Sequence, residues 1–288
     1  MAVVNTNIGA SVAQAALVKN ERALNSAMEQ LSTGKRINAA GDDASGLAIS
    51  ARMTSQIKGL ETSIRNANDA ISMVDTAEGA LDEITEMLQR IRELAVQSGT
   101  GTTSADDRTY IDAELDQLRA EIDRIAANTE WNGRAILGGA AGGATGVSGV
   151  TFQVGVDGGS TNTLSVNFGN FASGGSTMGS VQDQSLDAAT VASGIAKSSR
   201  TISVVDTAIA AVSNQRATFG ATSNRLTHAV DNLTNVKTNA EASRSRILDT
   251  DYAAATSELA RTQIIQQAGT AMLAQANQLP QGVLALLQ

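Results

Sequence analysis

Apolar residues recur along most of the chain at steps of three and four, the spacing that stacks side chains on one face of a helix. The longest unbroken run is Ile57, Leu60, Ile64, Ala67, Ile71, Val74, Ala77, Leu81, Ile84, Leu88, Ile91 and Ala95. Two consecutive steps of three between Ile71 and Ala77 make it a heptad seam with one residue skipped. With Gly41-Asp42-Asp43 before it and Gly99 after it, the seam predicts a helix over 44–98. Such a helix is roughly 80 Å long at about 1.5 Å per residue, far more than one globular core needs. An earlier helical pattern passes through Ile8, Val12, Ala15, Leu17, Leu24, Met28 and Leu31 and breaks at Gly34. A third begins after Ser104, where Ser104 and Asp107 resemble a capping box. It repeats through Ile111, Leu115, Leu118, Ile122 and Ile125 and is expected to end near Asn132-Gly133.

The second half repeats the design. Ile202, Val205, Ile209, Val212, Arg216, Phe219, Ser223, Leu226, Val230, Leu233, Lys237, Ala240, Arg244 and Ile247 keep the three-four spacing throughout. The four polar members suggest a seam shared with water or a neighbour. After Asp249 a separate pattern runs through Leu259, Ile264, Ala268, Met272, Ala276, Leu279, Val283 and Leu286, and Pro280 is expected to bend or end it. Between the arms the period changes to two. Val150, Phe152, Val154 and Val156, then Leu164, Val166 and Phe168, flank Asp157-Gly158-Gly159 and read as a β-hairpin. The predicted fold is mainly α: a long antiparallel helical coiled-coil rod of N- and C-terminal arms, with a small β-hairpin region in the middle of the chain.

Composition removes most enzyme classes. The chain of 288 residues has no Cys, one His, one Pro and seven aromatic residues. A disulfide scaffold, a Cys-ligated zinc site, a Cys nucleophile and a multi-His metal site are excluded. The net charge of −8 argues against a nucleic-acid partner. No run of 18 apolar residues provides a transmembrane helix, and the first residues lack the basic leader and apolar core of a secretory signal peptide. Charge is absent from residues 1–18 and 262–288, although both are helix-patterned. Such ends cannot form a large core alone, but many copies could pool them, and a repeated interface that does not close builds a filament.

Candidate chemistry is thin. Gly99-Thr-Gly101-Thr-Thr-Ser104 has part of a dinucleotide-loop spacing but follows a helix, and Ser104 replaces the third Gly. Gly138 and Gly143 have P-loop spacing with Ala144 where Lys is required. His228 lies inside a helical pattern without marked partners. Asp42-Asp43 reads as a turn and helix N-terminus rather than a cation site. Asp75, Glu78, Asp82, Glu83 and Glu86 read as a solvated face, and the Asn232-Leu-Thr234 sequon falls mid-helix. No catalytic residue, cofactor site or metal site emerges.

Longer motifs carry a family resemblance. They are Leu31-Ser-Thr-Gly-Lys-Arg-Ile37-Asn38, Ala40-Gly-Asp-Asp-Ala-Ser-Gly-Leu-Ala48-Ile49, Gln89-Arg-Ile-Arg-Glu-Leu-Ala-Val-Gln-Ser98 and Glu130-Trp-Asn-Gly133. The C-terminal half adds Ser245-Arg-Ile-Leu-Asp-Thr-Asp-Tyr252, Gln266-Gln-Ala-Gly-Thr270, Leu273-Ala-Gln-Ala-Asn-Gln-Leu-Pro280 and Leu286-Leu287-Gln288. Over about 1–137 and 200–288 the chain resembles bacterial flagellin, in a short form with few or no outer domains.

The resemblance implies a structural subunit that polymerises into the helical flagellar filament for motility. Residues 1–43 and 249–288 would form the filament inner core, packed through Ile8, Val12, Leu24, Leu31, Ile264, Ala268, Met272, Ala276 and Leu279. Residues 44–137 and 181–248 would form a long-helix bundle. Residues 138–180 would supply the hairpin and loops where longer flagellins insert outer domains. The implied partners are further copies of the chain, a flagellin export chaperone, the filament cap and hook-junction proteins, and host Toll-like receptor 5. The implied location is the extracellular filament, reached by type III export without a cleaved signal peptide. By resemblance, the innate-receptor surface falls on Gln89, Arg90, Glu93, Leu94, Gln97 and Glu114, and a cytosolic-receptor site on Leu284, Leu286 and Leu287. Neither nucleic acid, membrane insertion nor a cofactor is implied. A hook–filament junction protein of the same architecture, or an adhesin role for the middle segment, stands as the alternative. The metallopeptidase insert of enzymatic flagellins needs His-Glu-x-x-His, which one histidine cannot supply. Eleven Ser and Thr between 145 and 180 are potential O-glycan acceptors.

Overall fold

The computed structural model describes residues 7–138, 149–172, 175, 178–188 and 190–285, the side chains of 279–285 excepted. Among these residues six α-helices and four short strands follow in the order α1 (Ile8–Thr33), α2 (Ala44–Ser98), α3 (Ala105–Asn128), β1 (Glu130–Trp131), β2 (Arg134–Ala135), β3 (Val150–Gln153), β4 (Thr163–Val166), α4 (Gly179–Gln182), α5 (Val191–Leu248) and α6 (Tyr252–Ala285). They divide into two compact units, Lys58–Lys237 and Met1–Ile57 with Thr238–Gln288. The divisions fall inside α2 and α5, not at the connections near 43 and 249 where the sequence pattern changes.

In the Lys58–Lys237 unit, α2 and α5 pair antiparallel along the two predicted seams. All twelve α2 seam positions and all fourteen on α5 are buried or half-buried. Around the skipped residue the buried stripe widens to include Ala70 and Met73. There Phe152, Val154 and Leu164 of the β3–β4 region pack onto Ala67, Ala70, Ile71 and Leu226, so α2 has neighbours on two sides. The charged seam positions of α5 are answered by α2, Arg244 through Thr54 Oγ1 at 3.4 Å. Arg216 Nη1 lies 2.8 Å from Asp82 Oδ1 and Nη2 3.8 Å from Glu78 Oε1, and Lys237 Nζ is 2.8 Å from Glu61 Oε1. Glu78 and Asp82 are therefore inter-helix partners, while Asp75, Glu83 and Glu86 are exposed.

Helix α3 starts with the expected cap. Ser104 Oγ accepts from Asp107 N, and the Asp107 carboxylate accepts from Ser104 N. It buries Ile111, Leu115 and Ile122 in the same core as α2 and α5. The helix ends at Asn128, earlier than expected. Asn132-Gly133 is not a helix stop but the turn of the two-residue strands β1 and β2, with Trp131 opposite Arg134. Its φ values of 51° and 73° suit the tight turn that matches strand twist. The predicted β3–β4 hairpin forms, with Val150 opposite Val166 and Phe152 opposite Leu164, though Val154, Val156 and Phe168 lie beyond its strands. Phe168 is buried against Phe219 with ring centroids 5.4 Å apart. The short α4 was not anticipated, and of the two outcomes expected at Pro280, a bend or an end, the second does not occur, since α6 continues to Ala285.

Arg108 ties three helices together. Fully buried on α3, it donates from Nε to Ser98 O at 3.2 Å and from Nη2 to Thr100 O at 3.1 Å. Those carbonyls close the C-terminus of α2, where the helix dipole favours a cation. Gly194 of α5 lies against the guanidinium, close enough that a Cβ would fall 2.5 Å from Nε.

In the other unit α1 and α6 run antiparallel. Asn20 Nδ2 donates to Thr262 O at 2.8 Å and Gln266 Oε1 at 3.1 Å, and Asn7 Nδ2 to Ala276 O at 2.8 Å. Leu17 covers Gly269 so closely that a Cβ there would meet Leu17 Cδ2 at 2.6 Å. The α1–α2 and α5–α6 connections pair through a Lys35–Asp249 bridge, with Arg36 N donating to Leu248 O and Thr250 N to Gly34 O. Gly34 ends α1 in the left-handed conformation at φ 69°. Asp42 Oδ2 accepts from Asn38 N and Ala39 N, and Asp43 Oδ1 accepts from Ser45 Oγ and Gly46 N. This satisfies the turn and the first amides of α2.

Two glycines test the packing in opposite directions. Gly79→Ala, on the exposed side of α2 with nothing within 4 Å of the new methyl, should stabilise the chain by about 0.5–1 kcal/mol. Gly194→Ala should instead cost about 1–3 kcal/mol, because the methyl displaces a buried guanidinium. Urea unfolding followed by circular dichroism reads both.

The Asp42–Asp43 turn should loosen in acid. Backbone hydrogen bonds, from Ala39 first for Asp42 and from Gly46 first for Asp43, hold both carboxyls below their ordinary value of 3.8. The folded chain thus binds these protons less readily than the unfolded chain. The stabilisation is present above the ordinary value and is lost as pH falls through the lowered ones. Protection of the Ala39 and Gly46 amides, corrected for intrinsic exchange, should hold at about pH 5 and fall away below about pH 3.8. Asp42→Asn should flatten that dependence at Ala39.

Candidate assembly interface

The α1–α6 pair leaves much of its apolar surface open. Ile8, Val12, Ile264 and Met272 are 62%, 64%, 66% and 65% exposed. Ala268 is exposed too, whereas Leu24, Leu31 and Ala276 are half-buried between the helices. Leu279 belongs to the final stretch of α6 whose side chains are outside those described. Met28 is 48% exposed but stands among the charged residues of α1, outside the uncharged ends; Val18 and Ile265 extend the exposed set beyond the residues expected from sequence. Their absence from that expectation reflects the strict three-four spacing used to choose positions. Absence of charge was the better signal, since it marks every face of the helix at once.

Alanine makes this pairing thin. The side chains nearest α6 are mostly methyl-sized, so few large apolar groups are enclosed; Ala27 and Ala255 are among the buried ones. Gly9, Val12, Ala13, Ala16, Leu17, Ile265, Gly269 and Met272 line an open apolar groove between α1 and α6. Leaving large apolar side chains in water forgoes roughly 1.5–3 kcal/mol per fully buried residue. An exposed apolar patch without charge is the ordinary mark of a protein–protein contact.

A second surface lies on the Lys58–Lys237 unit. Arg90 donates from Nε and Nη2 to Glu114 Oε1 at 2.9 and 2.8 Å, and from Nη1 to Glu93 Oε2 at 3.1 Å. These bonds, Glu114 first, raise the Arg90 pKa above its ordinary value. The structure thus brings Arg90, Glu93 and Glu114 together across α2 and α3, with Gln89 and Gln97 exposed on α2. Leu94 is different. At 2% exposure it is enclosed in the α2 seam beside Ile91 and Ala95, so its side chain packs the bundle and offers almost no surface. Leu284 falls where side chains are not described, and Leu286 and Leu287 lie outside the described residues.

The remaining candidates resolve into structural parts. Gly99–Ser104 is the α2–α3 connection, in which Thr100 Oγ1 bonds Thr103 Oγ1 at 2.8 Å and Ser104 caps α3. His228 is exposed on α5. Among the described residues no group of three or more His, Cys, Asp or Glu could hold a metal ion, and no helix is long and apolar enough to cross a membrane.

Comparison with known proteins accounts for this arrangement of paired helices. The bacterial flagellin N-terminal helical region matches residues 4–141, and the bacterial flagellin C-terminal helical region matches residues 202–287. The flagellar filament 33 kDa core protein of Treponema phagedenis is 41% identical, over 99% of this chain and 100% of its own length. A flagellin of Halalkalibacterium halodurans is also 41% identical, with 99% and 100% covered. Among solved structures, a putative flagellar hook-associated protein from Vibrio parahaemolyticus shares the fold with a TM-score of 0.59 at 16% identity, over 72% of this chain and 100% of that one. The chain belongs to the bacterial flagellin family.

Proposed function

We propose that the chain is the structural subunit of a flagellar filament, and that α1 and α6 from many copies pool their open apolar surfaces into its inner core. The observation that carries this is the uncharged α1–α6 face with Ile8, Val12, Ile264 and Met272 all more than 60% exposed. One chain cannot cover that surface, whereas neighbouring copies of the same two helices supply matching apolar partners. Export through the flagellar type III apparatus, a chaperone holding the C-terminal segment, and assembly between hook-junction and cap proteins follow from family membership and belong to the same reading.

Seeded polymerisation of the purified chain, viewed by electron microscopy, tests it. Ile264→Asp should leave the thermal transition of the free chain within about 0.5 kcal/mol of the parent, because an exposed site tolerates charge. It should abolish filaments, because assembly would bury an unpaired carboxylate. Ile264→Leu should polymerise like the parent. Normal filaments from Ile264→Asp would defeat the proposal.

Recognition of the free subunit by Toll-like receptor 5 is a second part of the reading. Its support is the exposed Arg90–Glu93–Glu114 cluster on the motif 89–98, with Gln89 and Gln97 alongside. Leu94 acts from beneath by holding α2 in place, and Leu284, Leu286 and Leu287 are proposed for the cytosolic receptor by resemblance. An Arg90→Ala/Glu114→Ala chain should fold normally yet bind receptor at least about tenfold more weakly, since charged anchors at interfaces dominate affinity. Full receptor activation by that double variant would remove the cluster from the interface.

A further inference from the structure

The chain has no cysteine, so its thioethers are the side chains that peroxide attacks most readily. Their surroundings differ sharply. Met73 and Met178 are buried in the Lys58–Lys237 core, and Met53 and Met87 are half-buried. Met272 is 65% exposed and Met28 is 48% exposed. Only Met272 of these lines the apolar groove between α1 and α6, beside Val12, Leu17, Ile265 and Gly269.

We propose that Met272 is an oxidation site that controls assembly: its sulfoxide, formed by peroxide on the free chain, blocks the α1–α6 face. The inference rests on the assembly role assigned to that face. In the reaction the Met272 sulfur takes one oxygen atom from hydrogen peroxide. The O–O bond breaks, an S–O bond forms, sulfur loses two electrons and water leaves. The product keeps the length of the side chain and adds no charge, but turns a flexible apolar group into a polar one. The groove around it presents only the alkyl groups of alanine, valine, leucine and isoleucine, so no lining side chain replaces the water that the sulfoxide oxygen holds. In the free chain the sulfoxide stays hydrated and costs nothing. Burial against another copy strips that water. Met28 is the internal control: it oxidises on the same chain but stands outside the groove.

Purified free chain treated with graded hydrogen peroxide, mapped by peptide mass and then seeded to polymerise, tests the proposal. Met272 and Met28 should carry sulfoxide before Met73 and Met178. The critical concentration for polymerisation should rise at least about tenfold as Met272 is converted, the effect of losing roughly 1.4 kcal/mol per added subunit. Met272→Leu should polymerise normally after the same dose, while Met28→Leu should remain as sensitive as the parent. Treatment of the oxidised parent chain with methionine sulfoxide reductases should restore assembly, a readout that needs no substitution. Normal polymerisation of chain carrying Met272 sulfoxide, or protection by Met28→Leu instead of Met272→Leu, would overturn the inference. Untreated chain in the same assay separates the two readings: its failure to polymerise would remove the assembly role itself, and this inference with it.

Discussion

The α2–α5 seam organises everything between Lys58 and Lys237. An α-helix repeats every 3.6 residues, while the seam repeats every 3.5, so a straight pair would drift out of contact by about 20° per heptad. The skipped residue between Ile71 and Ala77 shortens the local repeat further, so the stripe swings sideways there, and it falls where the β3–β4 region adds a second neighbour to α2. Direction and alignment come from charges. Lys237 with Glu61, Arg216 with Glu78 and Asp82, and Arg92 with Asp206 ascend α2 while descending α5. Each pair is partly exposed and contributes little stability. Together they oppose any parallel or shifted pairing, which would set like charges or unpaired cations beside the seam.

The α1–α6 pair follows the opposite logic. Its open apolar face lies at the two uncharged ends of the chain, several large side chains there face outward, and its inward contacts are alanine, glycine, a few leucines and a few amides. Poor self-sufficiency is what a polymerising surface requires, because a pair that covered its own apolar area would have nothing left to share. On the proposed reading, the exposure that would let copies associate also leaves Met272 open to oxidants, so assembly competence and chemical vulnerability arise from one feature.

Much of this was legible in the sequence because long helices advertise themselves. The α2 limits, the Ser104–Asp107 cap and the presence of the β3–β4 hairpin were readable from spacing and end residues alone, since each depends on neighbours close in the chain. The family resemblance was readable from motifs such as Leu31–Asn38 and Gln89–Ser98, and it located the Arg90–Glu114 cluster that the structure assembles across two helices. What escaped depends on tertiary context. Two-residue strands carry no period, so Asn132-Gly133 read as a helix stop rather than a hairpin turn. Arg108 gave no sign that it would be buried, because its partners are backbone carbonyls of another helix and a glycine 86 residues away. Leu94 lay one position from the seam residue Ala95, and only packing against a third helix decided that both would be enclosed.

Asn20 has a consequence out of proportion to its size. In a contact made mainly of alanine, little besides Leu17 against Gly269 opposes sliding α6 along α1 by two turns. The Asn20 amide breaks that indifference by joining Thr262 O and the side chain of Gln266. A shift of seven residues would bring Leu259 or Leu273 to the place of Gln266, and neither has a side-chain acceptor to offer. One buried amide therefore works as a ruler, giving every copy the same helix offset and every lattice built from them the same repeat.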